Sequence, residues 1–290
     1  MKFLCALAVL GCGLSISSKL IADPCPVITI AVPKSLTSTI PNTCFDVGYV
    51  AGTAFVDYVV DYRISVQAGR AIGARMHTDV QQPLLFLLDS DFNALVADVG
   101  DSNEAAVVFP NSIGGTYYLV AGVPADQVGA SFTLDVTAAT APGVLDHVMA
   151  KDVETVSPYD PISRSRYFLP SDPVAWSWLK VGPISGIHRI ESRFYPPREG
   201  SVPYVYASSI VGDAGAYDWW KDWEGIYVSG HLPAQTLGNW RVDVSVDGTI
   251  AYSEPFVITT TPPACDPLQE PRCGHLVKVP PILHPAQVHR

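Results

Sequence analysis

The stretch Trp240-Arg241-Val242-Asp243-Val244-Ser245-Val246-Asp247-Gly248 alternates apolar and polar side chains for seven residues and then stops at Asp-Gly. Strict alternation gives a strand one apolar and one polar face. Asp-Gly between two such strands favours a two-residue type I′ turn, whose backbone twist matches theirs. A hairpin is expected here. Pro255, in its second strand, suits a sheet edge because proline cannot donate to a ladder.

The same period recurs upstream. Val60, Tyr62, Ile64 and Val66 alternate with Asp61, Arg63, Ser65 and Gln67, and Gly69 ends the strand. Leu84 to Leu88 is a continuous apolar run suited to burial on both faces, and Ala105 to Phe109 is a shorter one. Gly114-Gly115 opens Thr116 to Ala121, and Phe132, Leu134 and Val136 again alternate with polar residues. Further on, Val174, Trp176 and Trp178 are spaced by two, and Ile190 and Phe194 sit opposite Arg189, Glu191 and Arg193. With 25 Pro and 22 Gly among 290 residues, short strands and many turns are favoured over long helices. The length exceeds one typical core. The expectation is an all-β chain of two β-sandwich domains, at 23–137 and 166–259. A linker spans 138–165, where Ala-Ala-Thr-Ala-Pro-Gly and Ser-Pro-Tyr-Asp-Pro fall and Asp146 to Val153 reads as a turn or two of helix. Residues 260–290 read as an irregular Pro-rich tail.

Tyr62 to Gly69, the Leu85 to Asp89 run with its turn, and Gly115-Thr-Tyr-Tyr-Leu-Val120 resemble the bacterial pre-peptidase C-terminal (PPC) domain, over residues 45–137. The resemblance implies a jelly-roll type β-sandwich with an accessory role in exported proteins. The sequence departs from that pattern at Phe92-Asn93, where a Gly-containing turn is usual. The ending at Trp240 to Gly248 resembles the last hairpin of Ig-like domains of exported bacterial proteins, without the Cys-Trp-Cys spacing of antibody domains.

Met1 and Lys2 precede an almost unbroken apolar run from Phe3 to Ile16. This is too short to span a bilayer but suited to a signal-peptide core, with cleavage after Ala22. A secreted or periplasmic location follows. Val9-Leu10-Gly11-Cys12 also resembles a lipobox, and acylation at Cys12 would anchor the product to the envelope; membrane association is expected only in that case. Cleavage after Ala22 leaves Cys25, Cys44, Cys265 and Cys273, an even set that reads as disulfides, the local pairing being the simplest of three. A zinc site from Cys265, Cys273, His275 and His284 is the rival, but the first two are spaced more widely than structural zinc ligands usually are. No metal or other cofactor is expected. A net charge of −10 and a pI near 5.0 argue against nucleic acid and anionic membrane surfaces as partners.

Tyr217-Asp-Trp-Trp-Lys-Asp-Trp-Glu224 is the densest aromatic cluster. Flat rings among carboxylates suit a sugar-binding surface, which makes Trp219, Trp220 and Trp223 the candidate ligand-binding residues; the competing reading is rings plugging the end of a sandwich. Asp218, Asp222 and Glu224 also allow a glycosidase, although neighbours on one loop rarely reach the separation that paired carboxylates need. Asp89, Asp91 and Asn93 are spaced like the start of a calcium loop, but Ala94 stands where glycine is required, so a polar turn is expected. His188, on a strand and lacking a His-Glu-x-x-His partner, is expected to be hydrogen-bonded and partly buried. No Gly-x-Ser-x-Gly elbow, Walker loop or dinucleotide fingerprint occurs, and no catalytic residue is assigned. The functional expectation is an exported, non-enzymatic accessory protein that binds an extracellular or envelope protein or glycan. The alternatives are an envelope-anchored structural lipoprotein, and a secreted hydrolase in which His188 or His231 would meet a serine and a carboxylate.

Overall fold

The computed structural model describes residues 25–50, 53–100, 102–110, 112–197, 202–261, 263 and 266, with the backbone alone for 45–50 and 53–57. Ala22, Cys12, Cys265, Cys273, His275 and His284, and with them the expected cleavage, acylation, second disulfide and rival zinc site, lie outside the described residues. The chain is all-β. It divides into two compact units, before and after the Thr140–Ala141 bond.

In chain order the first unit holds β1 (Val27–Thr29), β2 (Lys34–Thr39), β3 (Phe45–Val50), β4 (Thr53–Val66), β5 (Ala71–Thr78), β6 (Leu84–Leu88), β7 (Ala94–Val99), β8 (Glu104–Phe109), β9 (Gly115–Pro124) and β10 (Ser131–Ala139). One sheet runs β1-β4-β9-β6-β7 with β3 also on β4, and the other runs β2-β10-β5-β8. The alternation expected from the sequence builds the core between them. Val60, Tyr62, Ile64 and Val66 on β4 pack with Ile72, Ala74 and Met76 on β5, and with Phe132, Leu134 and Val136 on β10. On β6, Leu85 and Leu87 enter this core while Leu84, on the other face, is also buried, in keeping with its continuous apolar run. Cys25 and Cys44 form a disulfide with their Cα atoms 5.4 Å apart.

The second unit holds β11 (Gly143–Val153), β12 (Pro161–Arg164), β13 (Tyr167–Phe168), β14 (Val174–Gly182), β15 (Ile184–Ser185), β16 (His188–Tyr195), β17 (Val205–Val211), β18 (Ala216–Tyr217), β19 (Trp220–Tyr227), a four-residue helix α1 (Leu232–Gln235), β20 (Gly238–Val246) and β21 (Thr249–Ile258). Its sheets run β12-β11-β14-β19 and β13-β21-β20-β16-β17, with β15 and β18 as a small extra pair. Edge-to-face contacts of Phe256 with Phe168 and Phe194, and the buried indole of Trp240, fill the space between them. Each such aromatic contributes on the order of 2–3 kcal/mol by leaving water.

The linker expected at 138–165 is instead occupied by the end of β10 and by β11 and β12, and Asp146 to Val153 is strand, not helix. A register shift between Val144 and Asp146 breaks the alternation on β11. Beyond it β11 is apolar on both faces, because Met149 joins the sandwich core while Val148 packs with Trp178 on the other side. That pattern mimics one side of a helix. The hairpin at Asp247-Gly248 forms as expected: both residues have positive φ, 49° and 73°, as a type I′ turn requires. Pro255 lies opposite Arg241 on β20, where β21 has no strand on its other side.

Candidate functional site

β14 and β19 pair antiparallel in the register Val181↔Trp220, Lys180↔Lys221, Leu179↔Asp222, Trp178↔Trp223 and Ser177↔Glu224. Since successive side chains leave a strand on opposite faces, the pairs separate into two sets. Leu179 and Ile226 belong to the sandwich core, and Trp220 packs against it, so Asp222 and Glu224 face the same way. Trp178, Lys180, Lys221 and Trp223 occupy the outer face. The segment read from sequence as one loop is therefore an edge strand with two different faces.

On the outer face, the turn between β11 and β12 folds back over its own sheet. Trp178 Nε1 donates to the Tyr159 carbonyl at 2.8 Å, and the Tyr159 ring stacks on Trp223 with centroids 5.5 Å apart. The Lys221 ammonium donates to the Pro158 carbonyl and to the Asp160 carboxylate, the latter at 2.5 Å. These contacts bury Trp178 and half-bury Trp223.

Trp219, one residue before β19, remains 46% exposed. The Lys180 and Lys221 ammonium groups lie 4.9 and 5.1 Å from its ring centroid, close enough for cation–π attraction. Its place on the sheet depends on Gly182: a Cβ there would meet the Asp218 carbonyl at 2.3 Å and the Trp219 Cα at 3.0 Å. Beside it Tyr217 packs edge-on against Trp220, centroids 5.8 Å apart, and donates its hydroxyl to Asp213 at 2.5 Å; that bond raises the phenol pKa. Together Tyr159, Tyr217, Trp219 and Trp223 border an open groove of about 880 Å³, with Asp218 and Lys221 among its polar margins.

The three tryptophans expected to bind together are thus divided. Trp219 is exposed in the groove, Trp223 is its partly covered floor, and Trp220 turns toward the core. The sequence reading missed Tyr159, which lay in the supposed linker, and Lys180, which continues the two-residue spacing of Trp176 and Trp178.

Behind the groove, the Asp222 carboxylate accepts from Ser209 Oγ on β17 at 2.8 Å, and burial raises its pKa. Glu224 is pushed up to about 7, first by burial and then by the charge of Asp222. Asp222 also borders the groove, but the two acids leave the same face of one strand two residues apart rather than facing each other across a cleft, which does not suit a glycosidase pair.

His188 is fully buried, and its Nδ1 lies 2.7 Å from Asp247 of the hairpin turn. Asp247 also accepts from the Arg189 backbone at 2.9 Å, so the pair secures the turn. His231 is exposed and packs its ring against Tyr227. Asp89 accepts from the backbone of Asp91 and Asn93 and from Asn93 Nδ2, each at 2.9 Å, which is the polar turn expected. Among the described residues, no cluster of three or more His, Cys, Asp or Glu is placed to hold a metal ion, and no helix is long and apolar enough to cross a membrane.

No protein-family model and no curated protein matches the sequence. Solved structures do. The pre-peptidase C-terminal domain of a collagenase from Bacillus anthracis aligns at 15% identity and a TM-score of 0.30, covering 39% of this chain and 97% of that one. CorA, a surface-associated copper-binding protein of Methylomicrobium album BG8, aligns at 7% identity and 0.28, covering 39% and 98%. A glycosyl hydrolase family 2 member from Bacteroides cellulosilyticus aligns at 9% identity and 0.24; 73% of this chain spans 31% of that one.

Proposed function

We propose that this chain is an exported, non-enzymatic accessory protein whose second unit binds a glycan in the groove at Trp219. The observation that carries the reading is an indole left 46% exposed in a groove whose other aromatic walls are held by specific contacts. An exposed flat ring offers a large apolar face at little entropic cost, and Asp218 and Lys180 beside it can fix hydroxyl orientation by hydrogen bonding. The Cys25–Cys44 disulfide supports an oxidising compartment, secreted or periplasmic. The hydrolase alternative gains no support, since the carboxylate that meets His188 is part of a buried structural pair.

Wild type and Trp219→Ala, each checked for folding by circular dichroism, are compared on a glycan array. Binding by the wild type that falls at least tenfold in the variant supports the reading. Absence of binding, or equal binding by both, overturns it.

A further inference from the structure

We propose that Asp222 and Glu224, on the core-facing side of the strand that carries the groove, form a proton-dependent latch that holds the groove in shape when one of them is protonated and releases it when both ionise. The inference rests on the groove being the binding site and concerns how that site is regulated.

The geometry begins with strand parity. Residues 221 and 223 supply the groove's Lys221 and Trp223, while 222 and 224 send two carboxylates from the other face of the strand, two residues apart, with Asp222 also bordering the groove. The polar groups around them are neutral or acidic. On β14, Ser177 is the cross-strand partner of Glu224, and the apolar Leu179 is that of Asp222. From β17, Ser209 donates to Asp222. On β21, Tyr252 lies 3.1 Å from Ser177 Oγ, and its ionisation is opposed by burial and by the charges of Glu254 and Asp222. The basic side chains that reach this layer, His147 on β11 at 3.0 Å and Arg166 at 3.3 Å, contact Glu254 instead. Two ionised carboxylates in such a site repel each other and lose hydration, so one keeps its proton until the cost of expelling it is met. Glu224 is the one whose pKa is pushed up to about 7.

The strand is paired on one side only: β19 is hydrogen-bonded to β14 and ends the sheet on its other side. Ionised Glu224 gains water by letting this edge move outward, and every outward displacement carries Lys221 and Trp223 with it. The sign follows: the folded-state pKa lies above the ordinary value of 4.5, so the stabilisation is complete at acid pH and is lost as pH rises toward and past 7.

The test needs no ligand. Acrylamide quenching of tryptophan fluorescence and the melting temperature are followed from pH 5 to 9 in wild type, Glu224→Gln and Asp222→Asn. In wild type, quenching is expected to rise and melting temperature to fall around pH 7; Glu224→Gln is expected to be flat, and Asp222→Asn to move the transition to lower pH. A wild type without the transition, or one unchanged in both variants, overturns the latch. Where a glycan is identified, its Kd is expected to rise by up to about tenfold per pH unit above the transition, through linkage to one proton. A Glu224-dependent transition without glycan binding would uphold the latch and remove the glycan reading; pH-independent glycan binding would do the reverse.

Discussion

The indole nitrogen of Trp178 donates to the backbone carbonyl of Tyr159 at 2.8 Å, and through that bond a turn 19 residues upstream becomes a wall of the groove. Trp178→Phe keeps most of the apolar volume and removes the donor. It is expected to cost about 1–2 kcal/mol in urea denaturation. Proteolytic cutting within 154–160 is expected to speed up, because the turn would lose one of its tethers to the sheet and keep the Tyr159–Trp223 stacking and the Lys221 contacts.

Gly182→Ala tests whether the approach of Trp219 to the sheet matters. The new methyl group would collide with the Asp218 carbonyl and Trp219 Cα, both backbone atoms that cannot rotate away. The 218–219 segment must lift, so glycan binding should fall as far as in Trp219→Ala while the far-ultraviolet spectrum stays that of a β protein.

Asp247→Ala should be among the most damaging turn substitutions in the second unit, because the side chain is buried. It leaves the buried His188 Nδ1 and the Arg189 amide without their acceptor. The expected loss is about 2–4 kcal/mol, the cost of two orphaned groups. Asp247→Asn, which retains one carbonyl oxygen, should recover part of it, as measured by equilibrium unfolding.

Asp89 sets a small acid-side dependence in the first unit. Its pKa is lowered first by the Asn93 side chain and also by the Asn93 and Asp91 amides. The stabilisation is therefore present above the ordinary aspartate value of 3.8 and disappears as pH falls through the lower folded value. The group is exposed, so solvent screening holds the effect to under about 1 kcal/mol. Melting curves of wild type and Asp89→Ala should converge below about pH 3.

Reduction of the Cys25–Cys44 bond should destabilise the first unit by about 3 kcal/mol, the chain-entropy value for a loop of this length. Melting with and without reductant, in wild type and Cys44→Ala, reads this directly: the reductant effect should vanish in the variant.

Much of the architecture was legible because alternation survives wherever one face meets a core. Val60 to Val66, Phe132 to Val136 and Trp240 to Val246 all take the faces their spacing indicates. It fails on β11, where a register shift and an apolar outer face remove the period, so that the sequence of this strand reads as a linker with a helical turn. The aromatic cluster was visible as composition, but its geometry was not. Trp219 and Trp220 go to different environments because a strand begins between them, and no local signal marks that start. Tyr159 and Lys180 join the site only through a turn folded over the sheet and a cross-strand register, relations between residues some 20 to 65 positions apart in sequence.

The parity of β19 also bears on how this protein tolerates insertions and deletions. One residue more or fewer between Gly212 and Trp219, taken up by a slip of the strand, would exchange its faces. Lys221 and Trp223 would enter the sandwich, and Asp222 and Glu224 would line an acidic surface trough. Loops are usually where chains absorb length changes at little cost. In this one, the residue count is as constrained as any side chain, and homologues that bind the same ligand should preserve its length, even where they vary its residues.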